Sequence, residues 1–210
     1  MEIINGERLV LGTCYYPEHW DESLWRDDLR RMLENGIEVI RIAEFAWSKI
    51  ERYEGVFNYD FYDKFLDLAE EMGMKVIFCT PTATPPAWLT EKYPEVLNAN
   101  IDGVLYRHGG RRHYNYNSPK YQELTRIIVE KSASHYAKHP AIIGWQIDNE
   151  INCEKDEFYS ESDTIAFRKF LMKKYGSIDA LNDAWGTNFW NQTYNSFEEV
   201  HVPRTTLRNN

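Results

Sequence analysis

Long apolar runs are missing from this 210-residue chain, so no stretch of transmembrane length is expected. Cysteine is scarce: Cys14, Cys79 and Cys153 are far apart, odd in number and without a CxxC pair. That excludes a disulfide framework and a cysteine-based metal site, and fits free, buried thiols in a reducing compartment. Basic charge is in deficit. A formal net charge of -9 with no Lys/Arg-rich run disfavours phosphate backbones and anionic lipid, so neither nucleic acid nor membrane is expected as a partner. The opening MEIINGERLVLG lacks a basic segment followed by an apolar one, so no signal peptide is expected and the location is read as cytoplasmic.

Aromatic residues are plentiful, at 15%, with 7 Trp and 14 Tyr. Such a content suits a bulky core or flat surfaces that stack on sugar rings. The pattern along the chain alternates. Residues 9–16 read as a strand, and SLWRDDLRRMLENG as a helix with Asp21 or Ser23 as cap and Gly36 as stop. Residues 38–45 read as a second strand, 61–73 as an amphipathic helix closed by Gly73, and 75–80 as a third strand. A long connection rich in aromatics and arginine follows, of a length usually tied to function. Pro119 opens a helix to about His139. IIGWQIDN is the fourth strand, and a last helical stretch over 161–185 is interruptible at Gly176.

Near-continuous apolar strands alternating with helices predict parallel strands covered by helices. The first strand is followed by YYPEHWDES, without the glycine-rich turn of a doubly wound sheet. Instead, polar and aromatic groups gather at strand ends: Glu18-His19-Trp20, Glu44-Phe45-Ala46-Trp47, Thr80-Pro81-Thr82 and Asn149-Glu150. An α/β barrel places its active site at those ends. A complete barrel has eight strands and about 250 residues, so four strands correspond to half of one.

At the tip of the fourth strand, Asp148, Asn149 and Glu150 follow an apolar run, a costly placement unless the groups are used. A partly desolvated Glu150 is suited to proton donation, and Asn149 to hydrogen bonding with a hydroxyl. The plain alternative is that both begin a solvated loop. Glu18 and His19 are read as orienting neighbours, Glu44 as supporting the site or capping the next turn, and His108 and His113 as loop histidines.

Several longer segments resemble one family: YYPEHW at 15–20, RIAEFAWSKIE at 41–51, TPTATPPAWL at 80–89, GGRRHYNYNSP at 109–119, WQIDNE at 145–150 and ALNDAWGTNFWNQTY at 180–194. They are similar to glycoside hydrolase family 42, the β-galactosidases built on a (β/α)8 barrel. The resemblance implies that residues 1–210 are a partial catalytic domain, the N-terminal half of the barrel with strands five to eight absent. It implies retaining hydrolysis of terminal β-D-galactosides, without a cofactor. Carried over by motif, Glu150 is the acid/base, Asn149 contacts the sugar 2-hydroxyl and Arg111 binds the galactose ring. Trp190 walls the sugar, in family trimers often across a subunit interface. From the residues alone, Arg111 fits a surface ion pair equally, and Trp190 a core anchor.

Two departures from the family pattern stand out. A zinc-binding cysteine cluster in some members begins where this chain has Asn115, and EKDEFYSESD lacks its later cysteines, so no metal is expected. The family nucleophile, a Glu of the seventh strand, has no counterpart in these residues. The chain alone is therefore expected to be inactive, with unpaired strand edges prone to self-association. Alternative readings are a non-catalytic carbohydrate-binding or assembly fragment, and another glycosidase of the same barrel clan, such as a β-glucosidase or mannanase.

Overall fold

The computed structural model describes residues 9–206 except 152 and 155. Four parallel strands form one sheet: β1 (Leu11–Cys14), β2 (Ile37–Ile42), β5 (Lys75–Cys79) and β6 (Ile142–Gln146), in the order β1-β2-β5-β6. A small antiparallel hairpin, β3 (Glu51–Tyr53) with β4 (Val56–Phe57), lies between β2 and β5 in the chain. It follows the one-turn helix α2 (Trp47–Ile50), and neither was foreseen from the sequence. The remaining helices are α1 (Glu22–Glu34), α3 (Asp60–Met72), α4 (Ala87–Lys92), α5 (Pro119–Tyr136), α6 (Glu161–Tyr175) and α7 (Ile178–Trp185). The strand–helix alternation and parallel pairing expected from the sequence are thus observed.

Local signals explain the boundaries. Asp21, rather than Ser23, caps α1 by accepting the Ser23 amide, and Gly36 takes a left-handed φ of 78° just past its end. The break expected at Gly176 is real: α6 ends at Tyr175 and Ser177 caps α7.

Contacts divide the chain into two compact units. The first comprises residues 1–89 and 124–153 and holds the parallel sheet. Strand alternation puts Ile40, Ile42, Val76 and Phe78 on one face. There Phe78 meets Tyr62 of α3, Tyr136 of α5 and Trp145 of β6. Trp25 of α1 packs edge-on against Phe61 and Phe65 of α3. Truncating a fully packed aromatic of this kind costs about 3–5 kcal/mol. The opposite face carries Cys14, Arg41, Cys79 and Gln146.

The two central strands are largely buried, whereas β1 is exposed along its length and β6 only half-buried. Both are edge strands of this sheet among the described residues. The thiols are also not uniformly buried: Cys79 is, but Cys14 and Cys153 are exposed.

The second unit comprises residues 90–123 and 154–210. Leu171, Leu181 and Val200 form the centre of its α6/α7 portion, with Phe167, Tyr175, Ile178, Tyr194 and Phe197 around them. Its other portion is a loop assembly tied by short bridges, Leu97 to Tyr114 and Ala99 to Leu105.

Candidate active site

At the C-terminal end of β6 the chain leaves the sheet through an unusual turn. Asp148 and Glu150 take left-handed φ values of 55° and 44°, flanking Asn149. Non-glycine residues in this region store strain and cluster at functional sites. The turn is fixed from both sides. The Asp148 amide donates to Thr80 Oγ1 at 2.7 Å, and the Asn149 amide to Asp148 Oδ1 at 2.7 Å. Asn149 is buried, at 7% exposure, but Glu150 is exposed. Glu150 follows a strand that is at the edge of the sheet among the described residues, and the expected desolvation of its carboxyl is not seen.

A polar network fills the sheet face beneath this turn. Arg41 Nη2 donates to Glu44 Oε2 at 2.6 Å and approaches Cys14 Sγ at 3.0 Å, while its Nη1 donates to Gln146 Oε1 at 2.6 Å. Tyr16 Oη donates to the same Glu44 oxygen at 2.9 Å. Burial, then the Glu44 carboxylate, push the Tyr16 phenol up to about 12. Glu44 is thus a buried, paired carboxylate. Glu18 accepts from Tyr62 Oη at 3.1 Å, and His19 stacks on Tyr16. Arg41 and Gln146 were not singled out from the sequence; the available signal was a charged residue inside the apolar strand EVIRIAEF.

In the second unit, Arg111 is paired with Glu154: its Nη2 lies 2.8 Å and its Nε 3.1 Å from Glu154 Oε1. The surface ion pair weighed as the plain alternative is thus what Arg111 makes here. Its neighbour Arg112 is buried with a φ of 63° and donates to the hydroxyls of Tyr114 and Tyr116. Trp190 is 53% exposed, has a left-handed φ of 57° and stacks on Phe189 at 5.0 Å. This corrects the core-anchor reading and leaves an aromatic platform. Asn149 and Glu150 share one unit, Arg111 and Trp190 the other.

Asn115 is fully buried among polar groups. Its amide donates to Ser160 Oγ at 2.9 Å and to Asp163. Asp163 also accepts from the Ser160 amide and hydroxyl and from Asn117. Hydrogen bonds hold this loop junction together. Among the described residues, one metal-ligand cluster occurs, Asp67, Glu70 and His139, remote in the chain from the strand tips. Ala141 N–H donates to His139 Nδ1 at 3.3 Å, and His139 Nε2 lies 3.5 Å from Asp67 Oδ1.

A β-galactosidase family profile, glycoside hydrolase family 42, matches residues 14–210. The chain belongs to this family. Family relatives include Beta-galactosidase Bga of Halorubrum lacusprofundi, 44% identical over 93% of this chain and 28% of the relative. A β-galactosidase of Thermus thermophilus is 45% identical over 94% of the chain and 31% of that protein. The crystal structure of the β-galactosidase from psychrophilic Marinomonas ef1 superposes with a TM-score of 0.92 at 43% identity, covering 96% of this chain and 31% of that one. The four strand–helix units are those of a (β/α)8 barrel, as expected, and the chain spans about 30% of the length of its family relatives.

Proposed function

We propose that these residues supply the acid/base half of a retaining β-galactosidase, with Glu150 as proton donor and then base. Asn149 hydrogen-bonds the sugar 2-hydroxyl, Arg111 holds the galactose ring and Trp190 walls it. The observation that carries this reading is the placement of Asn149-Glu150 at the C-terminal end of the fourth parallel strand in a chain of this family. The strained turn and the exposed Phe189–Trp190 pair support it. Retention requires a second carboxylate about 5–5.5 Å from the first. The family takes it from the seventh strand, so a complete barrel closes the device and desolvates Glu150.

In a complete-barrel enzyme carrying these residues, Glu150→Gln lowers turnover of a chromogenic β-galactoside by roughly 10²–10⁴-fold. An unchanged rate overturns the assignment. The 210-residue chain alone is inactive on this reading, and turnover by it that Glu150→Gln abolishes would contradict that. Galactosides are preferred over glucosides, which separates this activity from other members of the barrel clan. The partner is the sugar, with assembly of the whole protein into homotrimers; no cofactor is required. We place the protein in the cytoplasm, where exposed free thiols such as Cys14 and Cys153 persist. No helix among the described residues is long and apolar enough to cross a membrane.

A further inference from the structure

Gln146, the last residue of β6, sits between the Arg41 guanidinium and the Asn149 side chain. Its Oε1 accepts from Arg41 Nη1 at 2.6 Å. Its Nε2 lies 2.9 Å from the Asp148 carbonyl oxygen and 3.1 Å from Asn149 Oδ1. The orientation of both amides follows from chemistry alone. A guanidinium only donates, so the Gln146 atom facing Arg41 must be the oxygen. A backbone carbonyl only accepts, so the Gln146 atom facing Asp148 must be the nitrogen. The two requirements agree, and the Gln146 amide has one permitted orientation. Its second N–H then meets Asn149, whose facing atom must be an acceptor. Asn149 therefore turns Oδ1 toward Gln146 and Nδ2 away from it.

We propose that Gln146 is a positioning residue that sets the Asn149 amide as a donor toward the ligand. The Arg41–Glu44 ion pair anchors the relay, since Arg41 is held by Glu44 at 2.6 Å and Glu44 is buried. Arg41 reaches Gln146 across β5, on the face where Cys79 neighbours Gln146 in the parallel register. A donor at Asn149 matches a sugar hydroxyl oxygen; the flipped amide would present an acceptor and require that hydroxyl to turn. The inference rests on the reading of Asn149 as the residue that meets the 2-hydroxyl.

The test compares kcat/KM for an aryl β-galactoside and its 2-deoxy analogue in a complete-barrel enzyme carrying these residues. The variants are Asn149→Ala, Gln146→Glu and Gln146→Met. Gln146→Glu offers acceptors alone and draws Asn149 Nδ2 inward. Gln146→Met keeps length and volume but removes both poles, and serves if the carboxylate variant does not fold. Both Gln146 variants are expected to shrink the preference for the 2-hydroxyl substrate about tenfold, the scale of one hydrogen bond to a positioned group. Activity on the 2-deoxy substrate should change much less. If Asn149→Ala removes the preference and the Gln146 variants leave it intact, or slow both substrates equally, the positioning role is overturned and the Asn149 assignment stands. If Asn149→Ala leaves the preference intact, the Asn149 assignment falls and the proposal falls with it.

Discussion

Arg111 and Glu154 hold each other through two guanidinium nitrogens on a single carboxylate oxygen, at 2.8 and 3.1 Å. Both side chains are half-exposed, so the pair adds little to stability. On the proposed reading of Arg111 as a sugar-binding residue, the pair aims the guanidinium fork. Glu154→Gln in a complete-barrel enzyme is expected to raise KM for galactosides several-fold with little change in kcat. Arg111→Lys should raise it further, because an ammonium cannot reproduce the planar fork. Steady-state kinetics of both variants decide this, and an unchanged KM in Arg111→Lys removes the residue from the site.

Asp163 accepts from the Ser160 amide, the Ser160 hydroxyl and the Asn115 and Asn117 side chains while almost wholly buried. Asp163→Ala takes this acceptor from the Ser160 amide and hydroxyl and from Asn117, while Asn115 keeps its bond to Ser160 Oγ. The expected loss is on the order of 3 kcal/mol, read as a lower urea midpoint. Asn115→Cys, which removes the side-chain amide that donates to Ser160, Asn98 and Asp163, should also destabilise.

His113 links stability to pH. Burial, and then the neighbouring His108, hold its imidazole down to about 4 from an ordinary 6.5, against a weaker opposing pull from the Gly110 carbonyl. The fold favours the neutral ring. Its contribution is complete above 6.5 and declines as pH falls from 6.5 toward 4. Urea midpoints between pH 7 and 5 should fall, and His113→Phe should flatten that slope.

The three thiols should separate by reactivity. Burial pushes Cys79 up to about 12, whereas Cys14 and Cys153 are exposed. A thiol reagent applied to the native chain is expected to modify two cysteines quickly and the third only on unfolding.

Strand β1 is exposed at all four residues and carries Leu11 at 51% exposure. Such an edge templates pairing. The 210-residue chain should therefore self-associate in light scattering, and Leu11→Lys should reduce the association. A monodisperse monomer would contradict the expectation.

The sequence made the alternation of strands and helices, the helix stops at glycine and the strand-tip pair Asn149-Glu150 legible, because periodicity and motif are local properties. It did not reveal the hairpin of Glu51–Tyr53 with Val56–Phe57, where a buried Glu51 takes the Trp47 indole N–H and the Gly55 amide. Those bonds depend on side chains meeting through a turn. The Arg41–Gln146 link was equally hidden, because it joins strands that are not neighbours and requires the sheet order. A surface ion pair for Arg111 lay among the alternatives, but its partner Glu154, 43 positions away, cannot be matched by spacing.

The two ends of the sheet handle unusual backbone in opposite ways. Turns entering β2 and β5 place glycine at left-handed positions, Gly36 and Gly73, where it costs nothing. Turns leaving β2 and β6 put Ala43, Asp148 and Glu150 there instead. A laboratory lengthening or shortening loops on this scaffold thus has a permissive rim and a forbidding one. Insertions after Gly36 or Gly73 should be absorbed, whereas a single residue added beside Ala43 or Asp148 should dislodge a conformation that only its surroundings hold in place.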